Sequence, residues 1–254
     1  MTHLDGLQWS LLSLIGLVFL QRSLHRELQA VFLLLTRRQD FTLVLFSLIF
    51  LPGVFLHEIS HYLMAKILRV PTGRFSVIPR QLGDGRLLMG YVETAQTDIV
   101  RDALIGAAPL VTGGLFVAYV GRTRLGLVSL WDALSTLDLN TASRAFTMLF
   151  ERPDFWLWFY LAVAVSSTMM PSSTDRRAWL QVGLVIALVL GVALLVGIGP
   201  WMMTSVAPKV NDALRSTAVV LAMSGAIHFA VLIPALFLRR VLSRIFRLDV
   251  ALRT

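Results

Sequence analysis

The sequence predicts an all-α polytopic membrane protein with about six transmembrane helices and a small membrane-associated β-hairpin after the second span. Its composition predicts this class, because 56% of its 254 residues are hydrophobic and only 15% are charged. Soluble domains average roughly 25% charged residues. Several apolar runs also approach or exceed the roughly 20 helical residues that a bilayer crossing requires. An ordinary soluble domain and a disordered chain are therefore both excluded.

The predicted spans are the apolar runs, and they end where charged or polar residues appear. They cover about 7–20, 41–68, 103–120, 155–170, 178–206 (interrupted by Gly199-Pro200) and 214–238. The first run lacks a basic leader and a small-residue cleavage motif, so we interpret it as an anchor and not as a signal peptide. The segments 21–40 and 121–153 are predicted to lie at the membrane surface as amphipathic helices.

The segment 72–97 is predicted to form the hairpin, because short β-type runs flank the turn sequence Gly83-Asp84-Gly85. The chain then divides into three regions. Residues 1–40 hold the first span and an interfacial helix, 41–178 hold spans two to four with the hairpin, and 179–254 hold the last two spans and a basic tail.

The net charge of +8 has a membrane interpretation, because most Arg and Lys residues lie between the apolar runs. That placement is typical of anchors facing anionic lipid headgroups, so the expected partner is the lipid bilayer and no nucleic acid is expected. The positive-inside rule weakly favours a cytoplasmic N-terminus, with the basic C-terminal tail as its clearest support. The sequence does not indicate an oligomeric state.

The chain has no cysteine and five histidines. The absence of cysteine excludes disulfides, thiolate metal sites and cysteine nucleophiles. A protein-bound metal ion would therefore need His, Asp or Glu ligands.

The second predicted span contains His57-Glu58-Ile59-Ser60-His61, which is an H-E-x-x-H pattern. Residues four apart share one face of a helix, so His57 and His61 can bind one ion. Glu58 lies beside them, where it can act as a general base toward water. An acidic residue inside a span costs roughly 2.5–3.5 kcal/mol on insertion scales, so a chance match is a poor explanation.

Catalytic zinc needs a third protein ligand, and Asp175 is the best placed acid. Spans two and four run in the same direction, so the end of span four lies near His57 and His61. Asp175 follows Pro171 at that end and is the one acid there.

Other interpretations of these residues stay open in the sequence. Asp175 can instead pair with Arg176 or Arg177 as an ordinary loop aspartate. Glu93 in the hairpin is a weaker ligand candidate. His228 in the last span is either a functional group or a hydrogen-bonded core histidine.

These motifs together resemble the site-2 proteases, the intramembrane zinc metalloproteases, over roughly residues 41–178. The H-E-x-x-H helix is followed by a β-type segment and by a span carrying Gly106-Ala107-Ala108-Pro109-Leu110-Val111-Thr112-Gly113-Gly114. A later span ends in a proline that is followed by an aspartate, as in the family, but the spacing between the two is one residue shorter. Thr168 stands where the family has Asn, Thr112 stands near the other usual Asn, and Arg176 replaces the Gly after the aspartate.

The resemblance implies a metalloprotease core at 41–178 that binds one Zn²⁺ per chain through His57, His61 and Asp175. It implies Glu58 as the catalytic base and a membrane-embedded protein as the substrate. It further implies substrate contacts from Pro109, Thr112, Thr168 and Pro171. The expected location is a prokaryotic inner membrane, with the active site toward the cytoplasm.

Three other functions are weighed against this hypothesis. A catalytically degenerate protease-like protein would bind transmembrane helices without cutting them, and the departures at Thr168 and Arg176 favour it. A CAAX-processing metallopeptidase would need a glutamate ligand on a further span, which the chain does not offer. A metal transporter would place polar groups in several spans, whereas only span two and His228 qualify.

Overall fold

The computed structural model describes residues 5–81 and 87–247, and this part of the chain is mostly helical. Four helices are long and apolar enough to cross a membrane, which indicates an integral membrane protein. They are α1 (Gly6–Thr36), α2 (Gln39–Ile67), α3 (Ile99–Thr123) and α8 (Gly199–Phe246), the last with a π-helical turn at Met202–Val206. The shorter helices are α4 (Leu127–Ser135), α5 (Leu139–Phe150), α6 (Phe155–Thr168) and α7 (Trp179–Leu195).

Two small antiparallel sheets of two strands each follow the second helix, which confirms the predicted hairpin. Strand β1 (Thr72–Ser76) pairs with β4 (Tyr91–Thr94), and β2 (Arg80–Gln81) pairs with β3 (Leu87–Leu88). The predicted turn Gly83-Asp84-Gly85 lies outside the described residues. After the sheets, α3 begins at Asp98, whose carboxylate accepts hydrogen bonds from the amides of Val100 and Arg101.

Helices α2, α3 and α6 enclose the main apolar core. Phe50 and Val54 of α2 pack in one cluster with Val117 of α3 and Ala162 of α6. Tyr160 donates a hydrogen bond to the Ile49 carbonyl 2.9 Å away, and two turns further along both helices His57 Nδ1 lies 2.7 Å from the Thr168 carbonyl. Helices α2 and α6 therefore run parallel, as the sequence predicts.

Helices α1 and α8 form the most extensive helix pair, and they run parallel. The amide of Gly6 donates to the Asn211 side chain at one end. Toward the other end, Arg239 donates two hydrogen bonds of 2.8 and 2.9 Å to the carboxylate of Glu27. Glu27 is almost completely buried, and removing the partner of a buried charge is strongly destabilising, so this ion pair fixes the register of the two helices.

Two segments differ from their predicted form. Helix α1 continues without a break to Thr36, so the predicted interfacial helix at 21–40 is the second half of the first helix. The predicted fifth span ends early, because Gly197 adopts φ 85° after α7, and Pro200 lies in the first turn of α8, where it is well tolerated. The segment 121–153 contains the two short helices α4 and α5, and its place at the membrane surface stays a prediction.

Candidate metal centre

The three predicted ligand residues come together near the ends of α2 and α6. The Nε2 atoms of His57 and His61 are 3.2 Å apart. Asp175 follows α6 and approaches both rings, with Oδ1 3.3 Å from His61 Nε2 and Oδ2 3.8 Å from His57 Nε2. One ligand atom from each residue lies within 4.8 Å of the others, so this partly buried group can hold a metal ion.

The separations between these atoms match a small tetrahedral ion. Ligands at about 2.0–2.1 Å from zinc would stand roughly 3.3–3.4 Å apart at tetrahedral angles. The observed 3.2 and 3.3 Å fit that spacing, whereas the 3.8 Å distance from His57 Nε2 is to the other oxygen of Asp175 and is longer.

Two backbone carbonyls determine which nitrogen of each imidazole faces the centre. The Nδ1 of His57 lies 2.7 Å from the Thr168 carbonyl oxygen, and the Nδ1 of His61 lies 2.8 Å from that of Ile105. A carbonyl can only accept, so both Nδ1 atoms carry the proton and donate it. The two bare Nε2 atoms then face each other and a carboxylate. This arrangement is repulsive without a cation between the ligands, and metal-binding histidines commonly donate their other ring N–H to a backbone carbonyl in this way.

Asp175 is held by its own loop and not by a neighbouring arginine. Its Oδ2 accepts the amide proton of Ser172 at 2.7 Å, and its amide donates to the Ser172 hydroxyl. Arg177 instead donates to both oxygens of Asp102, at 2.5 and 2.7 Å, and this contact raises the pKa of the Arg177 guanidinium. Arg176 donates to the Ser172 carbonyl at 3.2 Å. The hydrogen bonds of Arg176 and Arg177 therefore go to Ser172 and Asp102, and the predicted alternative of Asp175 as an ordinary loop partner of either arginine is not the arrangement in the structure.

Two glycines allow the ligand-bearing segments to approach each other. A Cβ at Gly53 would collide with the Ala164 carbonyl, and one at Gly106 would collide with the Asp175 carbonyl. Gly53 lies one turn before His57, so it lets α2 approach α6 closely enough for His57 to reach Thr168. The sequence alone does not predict these contacts. Its one signal for them is a glycine four residues before His57.

The centre opens into a cavity of about 360 Å³ between α2, β4 and the start of α3. Glu58 lines this cavity and is only 7% exposed. A Cβ at Gly90 would stand 3.0 Å from Glu58 Oε1 and 2.8 Å from its Cγ, so the backbone before β4 lies directly against this side chain. Val92 and Thr94 of β4 line the same cavity.

The four predicted substrate-contact residues are not among the residues that line this cavity. The Thr112 hydroxyl contacts Ser60 at 2.6 Å and donates to the Ala108 carbonyl. The Thr168 hydroxyl bonds within its own helix. Pro109 is buried within α3, and Pro171 follows the end of α6. Their contact with substrate stays a prediction.

The two weaker candidates from the sequence lie in other contacts. Glu93 Oε2 accepts the amide of Arg74 in the sheet, 3.1 Å away. His228 bonds to the Ser167 hydroxyl at 2.9 Å and to the Ser224 carbonyl at 2.8 Å. His228 is therefore a hydrogen-bonded core histidine.

Comparison of the chain with protein-family models, curated proteins and solved structures found no match.

We predict that the purified protein binds about one zinc ion per chain and that His57→Ala loses most of it. The variant leaves one imidazole and one carboxylate, too few for a stable zinc site. Metal analysis after equilibration with Zn²⁺ measures the content. Glu93→Gln removes a carboxylate outside the centre and should keep the wild-type content. Equal zinc in wild type and His57→Ala would contradict the assignment.

Proposed function

We propose that the protein is an intramembrane zinc metalloendopeptidase that cleaves transmembrane or membrane-proximal peptide bonds. The observation that carries the proposal is the position of Glu58. Its carboxyl group lines the same cavity as the His57, His61 and Asp175 ligand group, and it is buried. A structural metal site is closed by its protein ligands and needs no further acid beside it. A hydrolytic site needs a general base next to its open coordination position.

The ligand group favours zinc as the metal, with one ion per chain. Two imidazole nitrogens and one carboxylate are a common protein set for catalytic zinc, and they leave a fourth position open. A zinc ion held there supplies Lewis acidity to a water molecule and to the scissile carbonyl.

Glu58 is proposed to move the proton during hydrolysis. Its carboxylate takes a proton from the attacking water and passes it to the leaving amine. Gly90 holds the backbone against Glu58, so the carboxylate has few alternative positions. The Thr168 and Ile105 carbonyls keep both imidazoles in the ligand tautomer throughout the reaction.

The substrate is proposed to bind as an extended strand beside β4. A helical substrate has its carbonyls hydrogen-bonded, so it must unwind before its scissile bond can react. Val92 and Thr94 are alternate residues of β4 and line the cavity, so a strand laid along them would pass the ligand group. A second cavity of about 360 Å³ shares Asp102 and Arg177 with the first and offers room for flanking residues.

We propose five membrane crossings, by α1, α2, α3, α6 and α8, where the sequence predicts about six. Because α1 and α8 run parallel, α8 must start on the side where α1 starts, and α7 cannot cross between them. Helix α6 has 14 residues, or about 21 Å, which is shorter than the roughly 30 Å hydrocarbon core. Its end and the Asp175 loop therefore lie within the membrane, where irregular backbone is tolerated when it lines a cavity.

The side of the membrane that the centre faces also depends on this topology. Parallel α1 and α8 place Gly6 and the basic residues Arg240 and Arg244 on opposite sides. The basic tail then no longer supports a cytoplasmic N-terminus. The prokaryotic inner membrane and the cytoplasmic active site stay predictions.

Glu58→Gln should keep the zinc content of wild type and lower cleavage of a single-span model substrate by about 10²–10⁴-fold, because the amide cannot accept the proton. Proteoliposome cleavage and metal analysis on the same preparation measure both quantities. Survival of cleavage in Glu58→Gln would exclude Glu58 as the base. A zinc-loaded wild type that binds the substrate but does not cut it would favour the degenerate protease-like alternative.

Gly90→Ala should slow cleavage without loss of zinc. The added methyl group would lie 2.8 Å from Glu58 Cγ and 3.0 Å from Val54 Cγ1, so the Glu58 side chain must shift. A displacement of about 1 Å at a catalytic group costs on the order of 10²-fold in rate. Gly183→Ala is the matched control, because a Cβ there meets nothing within 4 Å. Equal rates for the two variants would refute the role given to Gly90.

A further inference from the structure

We propose that Pro109 is a positioning residue for the metal centre, because it releases the Ile105 carbonyl that orients His61. In an α-helix the amide of residue i donates to the carbonyl of residue i−4. Residue 109 is a proline and has no N–H, so the Ile105 carbonyl loses its normal helical donor. That carbonyl is the oxygen 2.8 Å from His61 Nδ1.

The position of Pro109 inside α3 is one where the missing N–H leaves a helical carbonyl without its normal donor. Pro109 lies in the interior of a helix that begins at Ile99, where proline normally destabilises the helix. The amides at the start of a helix need no helical acceptor, but position 109 is well beyond that first turn. The Pro109 side chain is also almost completely buried. The cost of the proline is offset locally, since the freed carbonyl receives the His61 N–H.

The Thr168 carbonyl that holds the second imidazole is free for a different reason. Helix α6 ends at Thr168, and the amide of Ser172, four residues further on, donates to Asp175 Oδ2. The Thr168 carbonyl instead accepts from His57 Nδ1 at 2.7 Å. His57 is therefore oriented by the end of a helix, and His61 by a carbonyl that a proline releases inside a helix.

This role differs from the substrate contact that the sequence predicts for Pro109. Pro109 is not among the residues that line the cavity, and it acts through a backbone oxygen at the far side of the His61 ring. The inference rests on the proposed metal centre, and it concerns the affinity and geometry of that centre.

The test substitutes Pro109→Ala and measures metal affinity and metal-free stability separately. The new amide N–H competes with His61 for the Ile105 carbonyl, so we expect Zn²⁺ affinity to fall by about 10-fold or more, as when other groups that hydrogen-bond to metal-binding histidines are removed. The visible absorption bands of bound Co²⁺ should shift, because they report the coordination geometry. The metal-free variant should melt no lower than wild type, because an unfavourable helical proline has been removed.

Pro234→Ala is the matched control, because Pro234 also lies inside a helix but away from the centre. It should leave Zn²⁺ affinity and the Co²⁺ spectrum unchanged.

Unchanged affinity and an unchanged Co²⁺ spectrum in Pro109→Ala would overturn the role of Pro109. A loss of affinity matched by an equal loss of metal-free stability would also overturn it, because a packing defect would then explain both. A wild-type protein that binds neither Zn²⁺ nor Co²⁺ would instead overturn the metal centre itself.

Discussion

The structure of the centre depends on one electrostatic constraint: three lone-pair donors face one another in a largely buried site. The imidazole protons of His57 and His61 are committed to backbone carbonyls on the far side of each ring. Their other nitrogens and the Asp175 carboxylate converge at 3.2–3.8 Å. A cation between these atoms makes that convergence favourable, and the surrounding helices hold the three side chains in place for it.

The convergence of the three side chains requires the helices that carry them to pack closely. Gly53 and Gly106 remove side chains where α2 meets α6 and where α3 meets the Asp175 loop. Pro109 releases the Ile105 carbonyl inside α3, and the end of α6 leaves the Thr168 carbonyl free, so each of these carbonyls orients one imidazole. The parallel pair of α1 and α8 packs around this unit, and Gln21 of α1 reaches the end of α6. The centre therefore uses residues from well outside the region 41–178.

The sequence predicts the candidate ligands because two kinds of information reveal them: spacing along one helix and the direction in which the spans run. His57, Glu58 and His61 are spaced by one helical turn, and Asp175 follows from the direction of two spans. The carbonyls of Ile105 and Thr168 carry no such signal, because every residue has a carbonyl and only packing selects two of them. The direction of α8 could not be predicted from the sequence either. It depends on whether α7 crosses the membrane, and an apolar run alone does not reveal that. The buried pair of Glu27 and Arg239 appears in the sequence only as two ordinary charges.

The most direct test of the account is the coordination of zinc in the purified protein. X-ray absorption or anomalous diffraction should find one zinc ion within about 2.0–2.2 Å of His57 Nε2, His61 Nε2 and an Asp175 oxygen. A metal ion bound elsewhere in the chain, or a centre whose histidines bind zinc while Asp175 stays beyond that distance, would contradict it.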